Sequence, residues 1–91
     1  MNFDVNSLEW QEVEDLTDDK TYTLQAKAVN DYVFYKNYVA TNILLAQSAD
    51  APEDNKTGFL DSQFKFKKTS GVKVFIKPLG TPINVEVQEV L

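Results

Sequence analysis

The chain has 91 residues, which is enough for one domain, residues 1–91, with a single core. Its apolar content of 43%, including Trp10, six Phe and four Tyr, is ample for that core and argues against intrinsic disorder. The absence of Cys excludes disulfides, thiolate metal sites and thiol nucleophiles, and the net charge of −5 disfavours nucleic acid and anionic membranes as partners.

The ionisable side chains are poorly suited to catalysis. All nine basic residues are Lys, and neither His nor Arg occurs in the sequence. The chain therefore lacks the side chain that titrates near neutrality and the guanidinium group that grips phosphates and carboxylates. Acid–base chemistry would have to rest on carboxylates, Lys or Tyr, and no carboxylate pair stands out. We predict that the protein is not an enzyme and has no catalytic, cofactor-binding or metal-binding residues.

Two predicted strands begin the chain. Residues 8–13, LEWQEV, place Leu8 and Trp10 on one face and Val13 on the other. Residues 21–29, TYTLQAKAV, alternate between polar and apolar side chains from Thr21 to Ala28, which is typical of a half-buried strand. The apolar face of this second strand consists of Tyr22, Leu24, Ala26 and Ala28.

Residues 31–46, DYVFYKNYVATNILLA, break the alternation, because apolar side chains would project from both faces of any strand there. We predict a hairpin that turns near Lys36 and Asn37, followed by a strand over residues 42–47. The second apolar face needs a cover, which could be the opposing sheet, a loop or another copy of the chain; a solvated cluster of Tyr stays equally open. If another copy is the cover, the protein is a homo-oligomer whose interface consists of Tyr32, Phe34, Tyr35, Tyr38, Val39 and Leu44.

Three further alternating segments, FKFKK, VKVFIK and INVEVQEV, predict strands near the end of the chain. Between them, Gly71 and Gly80 can supply positive φ, and Pro78 and Pro82 bracket the last turn. Short strands separated by such turns predict an all-β fold. We expect a small antiparallel β-sandwich, jelly-roll-like or an open barrel, with about seven to eight short strands.

Charge is unevenly placed along the chain. Residues 1–19 carry seven acidic side chains and no basic one, whereas residues 64–77 carry five Lys and no acid. The two segments are either neighbours within one fold, two solvated faces, or the two sides of a head-to-tail contact between identical subunits.

Two acidic clusters, DLTDDKT and DAPEDNKTG, offer oxygen ligands suited to Ca²⁺. Neither has the spacing of an EF-hand, and Asp and Asn are common in turns for their own backbone hydrogen bonds. In the lysine-bearing strands, Phe64 and Phe66 alternate with Lys65 and Lys67, so rings and charges would face opposite sides. A groove for single-stranded nucleic acid needs both on one side, and we predict no such site.

No apolar run reaches the roughly 18 residues of a membrane span, and MNFDVNSLEW lacks the basic-then-apolar order of a signal peptide. We therefore expect no membrane partner and a cytosolic product.

The order of several short motifs resembles a family of small β-sandwich proteins of tailed bacteriophages and prophages, associated with the virion head or tail. The matching pieces are Trp10, the strand with Tyr22, Leu24 and Gln25, the SADAP segment at residues 48–52, Gly58, and the final strands GVKVFIK and INVEVQEV. The resemblance covers most of residues 8–91. It departs from the family where a Gly- or Asn-rich turn would follow the Gln-bearing strand, because the aromatic stretch of residues 26–41 stands there instead.

The resemblance implies a non-enzymatic structural protein that self-assembles and attaches to other proteins of the virion head or tail. Its location would then be the virion or the host cytoplasm. The alternative is a carbohydrate- or receptor-binding module, in which Tyr32, Tyr35 and Tyr38 would form a stacking platform for the ligand.

Overall fold

The computed structural model describes residues 1–31, 36–54 and 57–91, with the backbone alone described at residues 30, 31 and 36. These residues form nine strands and no helix, and therefore none that could span a membrane. The predicted all-β class is confirmed, with more strands than expected. In chain order the strands are β1 (Asn2–Val5), β2 (Gln11–Glu12), β3 (Thr21–Asp31), β4 (Lys36–Ala40), β5 (Ile43–Ser48), β6 (Phe59–Asp61), β7 (Gln63–Lys67), β8 (Lys73–Pro78) and β9 (Ile83–Glu89).

The strands form two antiparallel sheets. Sheet A has the order β1-β9-β3, and both β4 and β7 pair with β3. β7 pairs with residues 21–25 of β3 and β4 with residues 27–31, so one long strand holds two shorter ones end to end. Sheet B has the order β2-β8-β5-β6. β1 and β2 therefore end the two sheets at one rim of the sandwich, and β6 and β7 end them at the other.

Two crossings of the chain between the sheets meet at one point on β3. The chain leaves sheet A after β4 and returns to it between β6 and β7. Both of these crossings bond to Ala26: the Thr41 amide donates to the Ala26 carbonyl at 3.2 Å, and the Ala26 amide donates to the Ser62 carbonyl at 2.9 Å. One fully buried residue thus fixes these two corners of the sandwich.

The core lies between the sheets and is built from the alternating faces. The predicted inward positions Tyr22, Leu24 and Ala26 are buried. The Tyr22 ring lies 6.0 Å from the ring of Phe66, its cross-strand neighbour, and its hydroxyl accepts a hydrogen bond from the Thr17 amide at 2.8 Å. The buried members of the core are Val5, Val13, Tyr22, Leu24, Ala26, Ile43, Leu45, Val74, Ile76, Ile83, Val85 and Val87.

The hairpin of β3 and β4 turns earlier than predicted. Asn37 pairs with Asn30 and Lys36 with Asp31, so both residues lie within β4 and the prediction of a turn there is wrong. β4 is an edge strand of sheet A, where polar side chains such as Lys and Asn are tolerated. Turn-forming residue types alone therefore do not fix the position of the turn. The connection falls on residues 32–35, outside the described residues.

Candidate functional site

The first candidate surface is the arm, defined as residues 27–31 of β3 together with β4. Val29 and Tyr38 are cross-strand neighbours on one face of the arm, with 42% and 53% of their surface exposed. Val39 lies opposite Ala28 on the other face and is 44% exposed. Both faces of the arm therefore present apolar surface that the described part of the chain does not cover.

The predicted interface residues are only partly brought together by the fold. Tyr38 and Val39 are both exposed on the arm, but they are adjacent in a strand and point to opposite faces. Tyr32, Phe34 and Tyr35 lie outside the described residues. The predicted stacking platform is thus described only at Tyr38.

The prediction that Leu44 is available to another subunit is wrong. Leu44 and Ala46 point to the outer face of sheet B, where Ala46 has Phe75 as its cross-strand neighbour. All three are buried, although they lie outside the core cluster. The apolar outer face of β5 therefore has its cover within its own chain.

Trp10 and the segment after β5 meet at this face. Glu12 pairs with Phe75, which places Trp10, two residues earlier, on the same outer face. The Trp10 indole Nε1 donates to the Asp54 carbonyl at 2.7 Å, and the Cβ position of Gly58 lies 3.2 Å from the Ala46 Cβ. Asp54 and Gly58 of the acidic segment after β5 are therefore tied to their own sheet or to Trp10, and no sequence pattern linked this segment to Trp10.

The second candidate surface, the β6–β7 groove, was missed in the sequence. It has a volume of about 560 Å³ and lies at the rim where β6 and β7 end the two sheets. Phe59 and Leu60 line it and are 75% and 58% exposed, while Phe64 and Phe66 are half-buried against the core. The available signal was the adjacent pair Phe59 and Leu60, because two consecutive apolar residues in a strand cannot both face one core.

The opposite rim carries acidic side chains. A groove of about 360 Å³ lies where β1 and β2 end the two sheets, and we call it the β1–β2 groove. Its acidic lining residues are Asp4, Glu12, Glu14 and Asp15. By contrast, β7 exposes Lys65 and Lys67 at the other rim. The sandwich thus has an acidic rim and a rim that combines apolar and basic groups.

Part of the charge asymmetry is neutralised within the chain. Lys68 pairs with Asp18, and Lys73 lies 3.9 Å from Glu12. The Lys68 ammonium, which also donates to the Val72 carbonyl at 2.7 Å, holds the pKa of Asp18 below its usual value, chiefly through its hydrogen bond. The acidic and basic segments are therefore neighbours in one fold at these residues.

The acidic side chains stabilise the turns in which they lie. Asp15 and Asp19 adopt positive φ of 65° and 66°, and Asp54 accepts hydrogen bonds from both the amide and the hydroxyl of Thr57 at 2.7 Å. Across residues 1–31, 36–54 and 57–91, no group of three acidic side chains is placed to hold a metal ion. Asp15, Asp19 and Asp54 thus shape turns, and Asp18 forms an ion pair with Lys68.

The lysine-bearing strand β7 has the phase expected from its sequence. Phe64 and Phe66 pack towards the core while Lys65 and Lys67 are exposed on the other side. Rings and charges are therefore separated, and the absence of a nucleic-acid site stays a prediction.

The sequence matched no protein-family model and no curated protein, and the fold matched no solved structure. What can be inferred about function therefore comes from the chemistry of the surfaces described above.

Proposed function

We propose that this protein is a non-enzymatic structural protein that self-assembles, of the kind that attaches to the head or tail of a phage or prophage virion. The observation that carries the proposal is the uncovered apolar surface at the ends of the sandwich. Tyr38 and Val39 on the arm, and Phe59 and Leu60 in the β6–β7 groove, are all at least 44% exposed.

Apolar side chains gathered at rims gain free energy when another molecule covers them, at about 25 cal/mol per Å² of apolar surface removed from water. Isolated exposed apolar residues are ordinary on a monomer, but here they occur as neighbours. Val29 and Tyr38 are paired across a ladder, and Phe59 and Leu60 are adjacent in β6. A single contact could cover Val29 and Tyr38, which share one face of the arm, whereas Phe59 and Leu60 face opposite sides of β6 and expose apolar surface on both.

The motifs of the phage-protein resemblance have structural roles in the fold. The Trp10 indole bonds to the carbonyl of Asp54, two residues after the SADAP segment, and Gly58 lies against the backbone of β5. The motif residues therefore make structural contacts within the sandwich, which agrees with the proposal of a structural protein that self-assembles.

The experiment is sedimentation velocity over a micromolar concentration series. We expect wild-type protein to associate as its concentration rises, and the variant Tyr38→Ser/Val39→Ser to associate less. Val90→Ser is the control, because Val90 is 40% exposed and its amide bonds to Thr21, at the end of β3 opposite the arm. A wild-type protein that sediments as a monomer throughout would contradict self-assembly. Detection of the protein in purified virions by mass spectrometry tests the phage assignment.

Glycan binding is the second candidate function. It is favoured by a groove of about 350 Å³ in which Tyr38 lies near Asp4 and Asn6, so that an aromatic ring, a carboxylate and an amide line one depression. Rings stack on sugar faces, and carboxylates and amides bond to sugar hydroxyls. Binding on a glycan array that Tyr38→Ala abolishes would favour this function over self-assembly.

A further inference from the structure

The two end strands of sheet A each have a side that no described strand pairs with. On β1, the Met1 nitrogen donates to the Val87 carbonyl at 2.9 Å, and the Val87 amide donates to the Met1 carbonyl at 2.8 Å. Bonded and non-bonded residues alternate in an antiparallel ladder. The backbone groups of Asn2 and Asp4 therefore point away from β9, towards the acidic rim.

The same alternation of bonded and non-bonded residues applies to β7. The Ser62 carbonyl and the Lys68 amide both bond towards β3, so the even-numbered residues of β7 face β3 and the odd-numbered residues face outward. The outward carbonyl of Lys67 already accepts a hydrogen bond from the Gln47 side-chain amide at 2.9 Å. The outward amide and carbonyl of Lys65 are positioned to bond to an added strand.

The strand directions permit one copy to continue the sheet of another. Across β1, β9, β3 and β7, every neighbouring pair is antiparallel, so β1 and β7 run in opposite directions. A second copy in the same orientation therefore presents its β1 antiparallel to the β7 of the first copy. The second copy need not be rotated for the strand directions to keep alternating from one copy to the next.

The side chains match in one register. With Asp4 opposite Lys65, both residues have outward backbone groups, and a carboxylate faces an ammonium on the outer face. The same register puts Phe3 opposite Phe66 on the inner face, where both are half-buried rings packed against their own cores. Opposite charges and aromatic pairs stabilise neighbouring strands, and like charges destabilise them.

We propose that β1 of one copy pairs with β7 of a second copy, antiparallel and with Asp4 opposite Lys65, as a head-to-tail contact. The proposal rests on the self-assembly proposed above and specifies its partner surface. Pairing of two β7 strands would set Lys against Lys, and pairing of two β1 strands would set Asp against Asp, so charge selects the mixed pair. A contact between two different surfaces repeats from copy to copy and builds a ring or a filament.

The test is sedimentation equilibrium of charge-reversed variants. We expect Asp4→Lys and Lys65→Glu each to raise the dissociation constant on the order of tenfold. The double variant should recover most of the lost affinity, because the opposite-charge pair is restored with its signs exchanged. The matched control is Lys73→Glu, which reverses an exposed Lys at the start of β8 in sheet B, outside the arm, β1 and β7. It should assemble as the wild type does.

Asp4 also accepts a hydrogen bond from the Asn84 side-chain amide at 2.9 Å, so a loss on reversal could come from misfolding. Asp4→Asn keeps an oxygen for Asn84 and removes only the charge; it should weaken assembly while retaining the wild-type thermal midpoint. Assembly of the single variants with wild-type affinity, or a double variant no better than either, would overturn the head-to-tail pairing. A wild-type monomer would instead remove the proposed function itself.

Discussion

At the scale of single residues, Gly58 is the position where the fold leaves no room for a side chain. Its φ is +102°, and an added Cβ would lie 2.4 Å from the Leu45 carbonyl oxygen. Gly71 has a φ of +82°, but no described atom lies within 4 Å of its Cβ position. Gly71→Ala therefore adds backbone strain alone, whereas Gly58→Ala must also displace the backbone of β5.

We expect Gly71→Ala to lower the free energy of unfolding by about 1 kcal/mol and Gly58→Ala by about 3 kcal/mol. Urea denaturation of the two variants measures the difference. Equal losses would show that the contact between Gly58 and β5 does not constrain the chain.

Asp18 contributes to the stability of the folded state, and this contribution depends on pH. The Lys68 hydrogen bond lowers its pKa in the folded state, so the unfolded chain, with an ordinary Asp value of about 3.9, binds the proton first as pH falls. The contribution is therefore present above about pH 4 and is lost as pH drops through the lowered folded value. The thermal midpoint of Asp18→Asn should lie below that of the wild type at pH 6, and the gap should close at about pH 2 to 3. A gap that persists unchanged in acid would show that the ion pair is not its source.

At the scale of elements, Trp10 joins the segment before β2 to the segment after β5 through its bond to Asp54. Trp10→Phe removes the hydrogen bond to the Asp54 carbonyl and keeps a ring, so we expect a loss of about 1 kcal/mol in urea denaturation. Trp10→Ala should cost more, because it also removes the half-buried ring. Leu8→Ala, on the same segment but 43% exposed, is the control and should cost little. A large loss at Leu8 with none at Trp10 would contradict this role of Trp10.

Long alternating strands could be predicted from sequence, and short rim strands could not. The pattern in β3 and β9 follows the period of a half-buried strand, and their buried residues all face inward. β6 has three residues, all exposed, and therefore carries no burial pattern to detect. Leu44 was misassigned for another reason: it is buried on the outer face of sheet B, and contacts at that face, such as the one between Trp10 and Asp54, 44 residues apart, are specified by no local pattern.

At the scale of the whole molecule, the sandwich is a flat body of 45 × 33 × 18 Å with two unlike rims. The uneven charge along the chain is partly carried to the two rims, with Asp4 and Glu14 at one and Lys65 and Lys67 at the other. The sequence alone could not predict which charges form ion pairs within the chain and which stay exposed at a rim. Asp18 and Lys68 are paired internally, and this fold leaves Lys65 exposed beside the apolar β6–β7 groove.

Amide hydrogen exchange, followed residue by residue by NMR at low and high protein concentration, reports directly whether copies of this chain bind one another. If they do, the outward-pointing amides of Asp4 and Lys65 on the rims, or of Tyr38 on the arm, should exchange more slowly as concentration rises, while buried Leu24 should be unaffected. Rates at all three outward amides that stay the same from low to high concentration would contradict self-assembly.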